Sequence, residues 1–172
     1  MIRFFGGRVM TLANGIETQD IEVWTEGSKI VFVGKPKAEE LDGKVFEREY
    51  DLKGNLLMPS FKNAHTHSAM TFLRSYADDM PLQDWLFKQI FPMEAKLDGE
   101  KVYWLTKLAI LEYLTTGCTA AFDMYFELDD YVKACTESGF RSVLCGAVSG
   151  DKSNLERLEN NYLKYNLSLI HI

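Results

Sequence analysis

From residue 56 the chain alternates apolar runs of strand length with longer amphipathic stretches. This order restricts the folds open to it more than any other feature. The first run, Leu56-Leu57-Met58-Pro59-Ser60-Phe61, reads as a strand leading to His65. In residues 100–116, Val102, Leu105, Leu108, Ala109, Leu111 and Leu114 recur at steps of three and four, as an amphipathic helix requires. Asp98 is placed to cap that helix and Gly117 to end it. Cys118–Met124 then reads as a buried strand, 129–138 as a second helix closed by Gly139, and 141–148 as a third strand. A last helix is expected near 155–166. Strands that alternate with helices pair in parallel, through right-handed crossovers.

Residues 1–55 have a different rhythm of short strands and turns. Segments 21–24 and 30–33 flank Glu26-Gly27-Ser28-Lys29, which predicts a β-hairpin with a glycine-containing loop. Val45-Phe46-Glu47 reads as resumed strand. So few strands make an incomplete core that calls for partner strands from elsewhere.

The chemistry is concentrated in His65-Thr66-His67, just after the first apolar run. Residues two apart on a strand point to one face, so both imidazoles can reach a single metal ion. A metal at the C-terminal mouth of a barrel strand is a common way to build a hydrolase. Chance His-x-His pairs are also common, and two ordinary surface or core histidines are the competing reading. The net charge of −6, without a run of Lys or Arg, leaves no basic face for phosphates, so no nucleic-acid partner is expected. No apolar segment approaches the roughly 20 residues needed to span a bilayer, so no membrane partner is expected either. Met1-Ile2-Arg3-Phe4-Phe5-Gly6-Gly7 lacks the apolar core of a secretory signal. Cys118, Cys135 and Cys145 form no close pair and read as buried thiols of a reducing compartment, the cytoplasm.

The run Asp51-Leu52-Lys53-Gly54-Asn55-Leu56-Leu57-Met58-Pro59-Ser60-Phe61-Lys62-Asn63-Ala64-His65-Thr66-His67 resembles the first barrel strand of the amidohydrolase superfamily. That strand follows the pattern Asp-x-x-Gly-x-x-x-Met-Pro-Gly-x-x-Asn-x-His-x-His. The resemblance continues through Met70-Thr71-Phe72-Leu73-Arg74, Asp84-Trp85-Leu86, Phe91-Pro92-Met93-Glu94 and Phe122-Asp123-Met124-Tyr125. This series is similar to the branch holding 5-methylthioadenosine/S-adenosylhomocysteine deaminases and related chlorohydrolases. Ser60 departs from the usual glycine, and Gly146 stands where those deaminases carry a substrate-contacting arginine.

The resemblance implies an α/β fold. Residues 56–166 would supply the first three strands of a (β/α)8 TIM-type barrel, preceded in 1–55 by a portion of a small β-sandwich. A complete barrel takes about 250 residues. The remaining metal ligands and the catalytic acid/base are therefore expected beyond residue 172, and the 172-residue polypeptide is expected to be inactive. Leu167-Ser168-Leu169-Ile170-His171-Ile172 matches the translation of a transposon sequencing adapter, so 167–172 is expected to be a non-native tail. A genuine short strand is the alternative.

Under the resemblance, one divalent ion, Zn2+, lowers the pKa of a bound water to about 7, and the hydroxide attacks C6 of an adenine ring. His65 and His67 are implied as metal ligands. Glu94 is implied as the acceptor of ribose hydroxyls, or else is a surface glutamate at a helix start. Arg157 resembles a substrate-contacting arginine, or else is a solvated helix charge. Trp85 and Phe91 suit the core or a pocket wall, and Asp123 either orients a metal ligand or caps a turn. The expected partners are a small nucleoside and water, with a homo-oligomer of the full-length protein also compatible. Three functions stay open: an adenosine-type deaminase, a chlorohydrolase or other heteroaromatic aminohydrolase of the same superfamily, and a non-catalytic binding domain.

Overall fold

The computed structural model describes residues 1–13, 15–145 and 152–166. The end of the expected third strand at 146–148, Gly146, and the 167–172 tail with His171 lie outside the described residues. The chain divides into two compact units, the first spanning Met1–Pro59 and the second beginning at Ser60.

In the first unit, β1 (Ile2–Phe5), β4 (Glu22–Glu26), β5 (Lys29–Gly34) and β6 (Arg48–Asp51) form a sheet in the order β5-β4-β1-β6. A short helix, α1 (Ala38–Leu41), lies between β5 and β6 in the chain. A second sheet joins β3 (Glu17–Gln19), β2 (Arg8–Thr11) and β7 (Leu56–Leu57). The expected hairpin is β4–β5: Glu26 pairs with Lys29 across Gly27-Ser28, and Gly27 takes a φ of +55° that a side chain would resist. Trp24 is its buried anchor, stacked 4.1 Å from Phe32 and edge-on to Phe46.

Two local expectations are corrected. Val45-Phe46-Glu47 is not strand. The parallel ladder on β1 runs from Ile2 opposite Arg48 to Phe5 opposite Asp51, so pairing starts only after Glu47. The apolar run at 56–61 is not one strand, and the second unit does not begin at residue 56. Leu56 and Leu57 pair with Arg8 and Val9 in the first unit. Pro59 has no N–H to give a ladder, and the next strand starts at Phe61.

The second unit is built on three parallel strands, β8 (Phe61–Thr66), β9 (Cys118–Met124) and β10 (Arg141–Cys145), in the order β10-β9-β8. Four helical pieces precede the first long helix: a 3-10 segment (Ser68–Leu73), α2 (Leu82–Asp84), a π-turn (Trp85–Ile90) and α3 (Phe91–Glu94). Pro92 explains the π-turn. It cannot donate to a preceding carbonyl, and the Phe91 amide reaches back five residues to Leu86 instead.

Helix α4 (Gly99–Thr115) then connects β8 to β9, and α5 (Leu128–Ser138) connects β9 to β10. Asp98 caps α4 as expected, accepting the Lys101 amide at 2.9 Å. Gly139 ends α5 at a φ of +64°, in the left-handed region. The described residues end with α6 (Lys152–Asn161) and a π-turn (Tyr162–Asn166). The core lies where α4 and α5 cover one face of the sheet. Val102 and Ile110 of α4 and Tyr131 and Cys135 of α5 meet Ala121 of β9 and Leu144 of β10. On the strands themselves, Phe122 and Val143 sit opposite each other in register, each about half exposed.

One electrostatic clamp crosses the first sheet. Arg3 on β1 forks onto both oxygens of Glu22 on β4, at 2.6 and 2.7 Å, and Trp24 Nε1 donates to the same carboxylate at 2.9 Å. The guanidinium holds the Glu22 carboxyl below its usual range. A depressed folded-state pKa contributes stability above the unfolded value of 4.5 and loses it as pH falls through the folded one. Glu22→Gln is therefore expected to lower stability by about 2 kcal/mol at pH 7. That difference should shrink below pH 4.5, as urea unfolding at both pH values would record.

Candidate metal centre

His65 and His67 stand at the C-terminal end of β8, their ring centroids 5.0 Å apart and their planes at 82°. His65 is exposed and His67 half-buried. The Nδ1 of His67 lies 2.9 Å from the main-chain oxygen of Met124, at the end of β9. A carbonyl oxygen can only accept, so Nδ1 carries the proton and the Nε2 lone pair stays free for a metal. The neighbouring strand thereby sets the tautomer.

The backbone on both sides of His67 is tied down from the helix-covered face. The Tyr113 hydroxyl, from α4, lies 2.5 Å from Thr66 Oγ1 and 3.0 Å from Ser68 Oγ. The Ser68 amide donates to both oxygens of Asp123 on β9, at 3.3 and 3.2 Å. Asp123 is 1% exposed, and burial raises its pKa above the usual carboxylate value. Asp123 thus accepts the first amide of the 3-10 segment, that of the residue directly after His67.

Glu94 ends α3, and it is not a surface glutamate, being 9% exposed. Burial raises its pKa, while the Tyr125 hydroxyl and the imidazole of His67 pull it back. Of the two histidines, His67 is the one whose charge bears on this carboxyl. Tyr125 is itself buried. Its hydroxyl bears on Glu94 without making a hydrogen bond of normal geometry. Phe91 is exposed and packs edge-on to Phe87, so it lines no buried pocket, and Trp85 is half-buried. Arg157 falls within the backbone of α6, but its side chain lies outside what is described.

The structure thus brings His65, His67 and Glu94 to one end of the sheet. Among the described residues no group of three or more His, Cys, Asp or Glu could hold a metal ion. The donor set nevertheless suits zinc as far as it goes: two imidazoles on one strand end, one of them with its second nitrogen secured to a carbonyl. Tyr113 and the Met124 carbonyl were missed from sequence. Tyr113 follows Ala109 and Ile110 at helical spacing, so its place on the inward face was readable, whereas a main-chain oxygen leaves no trace in a residue pattern.

Residues 56–167 match the amidohydrolase family. The chain belongs to that family. A 5-methylthioadenosine/S-adenosylhomocysteine deaminase of Desulfitobacterium hafniense is 43% identical over 136 residues, 79% of this chain and 31% of that protein. A 5'-deoxyadenosine deaminase of Methanospirillum hungatei is 52% identical over 108 residues, 62% of this chain and 24% of that protein. Among solved structures, an adenosine deaminase from Xanthomonas campestris with bound zinc superposes with a TM-score of 0.79 at 30% identity. It covers 94% of this chain and 39% of that one. The chain thus spans about a quarter to a third of the length of these curated amidohydrolase relatives.

The buried carboxyls give a test of the geometry. A raised folded-state pKa contributes stability that is present below the unfolded value and lost as pH rises through the folded one. For Glu94 the window opens near 4.5 and runs upward, and Asp123 acts in the same direction from 3.8. In metal-free protein, stability is expected to fall as pH rises above about 4.5, and Glu94→Gln should flatten that fall. Urea midpoints across pH 4 to 7 would check it, and an unchanged slope in the variant would place Glu94 in solvent.

Proposed function

We propose that the complete gene product is a metal-dependent aminohydrolase that deaminates an adenosine-type nucleoside, of the 5-methylthioadenosine/S-adenosylhomocysteine class. The observation that carries this reading is the His65–His67 pair at the end of β8, with the His67 tautomer set for ligation by the Met124 carbonyl; the buried carboxyl of Glu94, which feels the His67 imidazole, supports it. The names of the deaminases it resembles, and the zinc bound in the Xanthomonas structure, support it. The three parallel strands are read as the opening of an eight-stranded barrel, and the first unit as part of a β-sandwich. The buried thiols of Cys118 and Cys135 suit a reducing compartment, the cytoplasm.

His65 and His67 would hold the ion. Bound there, zinc supplies Lewis acidity and a water acidic enough to act near neutral pH. The chain's own residues do the rest of the work visible here. Met124 keeps the His67 Nε2 lone pair outward, and Asp123 and Tyr113 fix the backbone around it. Glu94 offers two oxygens, which can accept hydrogen bonds from two vicinal ribose hydroxyls. Its burial makes those bonds stronger than they would be in water. The net reaction adds water and releases ammonia from the exocyclic amine.

Zinc content and ammonia release from methylthioadenosine, S-adenosylhomocysteine and adenosine would test the complete gene product. About one zinc per chain and turnover of at least one nucleoside are expected, both lost in His67→Ala. Glu94→Gln should raise KM for nucleosides roughly tenfold to a hundredfold, as for loss of a charged hydrogen bond, with a much smaller effect on free adenine. Turnover of a chlorinated triazine with no nucleoside activity would move the assignment to the chlorohydrolases. Full function without metal or histidines would move it to a binding module. The 172-residue polypeptide by itself is expected to bind zinc weakly and to lack activity, since two ligands leave the site open.

A further inference from the structure

The pairing of β8 with β9 is irregular twice: between Phe61 and Lys62 one step on β8 matches two on β9, and between Asn63 and Thr66 an extra residue sits on β8. Asn63 lies opposite Ala121, and Thr66 opposite Asp123, so three steps on β8 match two on β9. Paired residues in a ladder share a face, and successive residues alternate. The second irregularity restores the register lost at the first: continued from Asn63 without it, His65 would fall opposite Asp123, on the face covered by α4 and α5. With it, Thr66 takes that place and meets the α4 hydroxyl of Tyr113 at 2.5 Å. His65 and His67, one residue to each side of Thr66, are turned together to the opposite face.

A bulge of this kind leaves a main-chain group without its ladder partner. The Asn63 side chain meets that need, its Oδ1 accepting the His65 amide at 3.2 Å. We propose that Asn63 is the positioning residue of the metal centre: its side-chain carbonyl holds the bulge that presents His65 beside His67. This rests on the reading of the pair as metal ligands. It adds a residue that touches neither metal nor substrate and works through the backbone of a ligand.

Two replacements separate this role from simple packing. Asn63→Asp keeps an oxygen acceptor at the same reach, whereas Asn63→Leu keeps the volume and removes the acceptor. In the complete gene product, the His65 amide should exchange with solvent slowly in the parent protein and in Asn63→Asp, and at least tenfold faster in Asn63→Leu. Zinc affinity by chelator competition should drop roughly tenfold to a hundredfold in Asn63→Leu, the usual cost of losing an outer partner of a ligand. It should return to within a few-fold in Asn63→Asp. The visible spectrum of the cobalt-substituted protein should shift in the leucine variant alone.

Fast exchange of the His65 amide in the parent protein would overturn the proposal without any variant. So would a folded Asn63→Leu protein with parental zinc affinity and cobalt spectrum. If Asn63→Leu does not fold, failure of Asn63→Asp to keep the protected amide and the zinc affinity overturns it just as well. A parent protein that protects the His65 amide through Asn63 yet takes up no metal would sink the functional reading and leave the bulge assignment standing.

Discussion

Six residues of β8 lie in parallel beside β9, and each contact at the candidate site inherits its geometry from that ladder. The Met124 carbonyl can meet His67 only because the two strands end together. Asp123 can reach the Ser68 amide for the same reason. The ladder is in turn held by the helices on its far face, where α4 and α5 bury Ala121 and Leu144 beneath Val102, Ile110, Tyr131 and Cys135. A site on strand ends is only as rigid as the layer behind it.

That layer contains polar groups where an apolar core would be the cheaper choice. Asp123 is almost fully buried, and Tyr113 puts its hydroxyl between Thr66 and Ser68. Taking a carboxyl out of water is unfavourable, as its raised pKa records. The return is orientation: three donors and acceptors from α4 and β9 converge on the few atoms that flank one imidazole. Glu94 and Tyr125 extend the same pattern, a carboxyl and a hydroxyl that are both buried and bear on each other.

Helices α4 and α5 were legible because their apolar residues repeat at helical spacing and because Asp98, Gly117 and Gly139 mark their ends. The hairpin was legible through Gly27. The misreadings share one cause. Leu56-Leu57 and Val45-Phe46-Glu47 look like strand by composition, but a strand forms only where a neighbour's free edge is in register. The edges of β1 and β2 are set by contacts far away in the chain. The π-turn before Pro92, and with it the inward turn of Glu94, depends on how a missing donor is accommodated in three dimensions.

By itself, the sequence determined the order of strands and helices in the second unit, the identity of the two candidate ligands and the family to which they belong. Those properties are local, carried by side-chain type and spacing along a few turns or one strand. Only the tertiary structure decided which nitrogen of His67 is free, that Glu94 is buried, and that an extra residue in β8 restores Thr66 to its place opposite Asp123, with both imidazoles on the other face. Each of those depends on partners distant in the chain, and a one-residue change of register reverses the face without altering a single residue in the pattern.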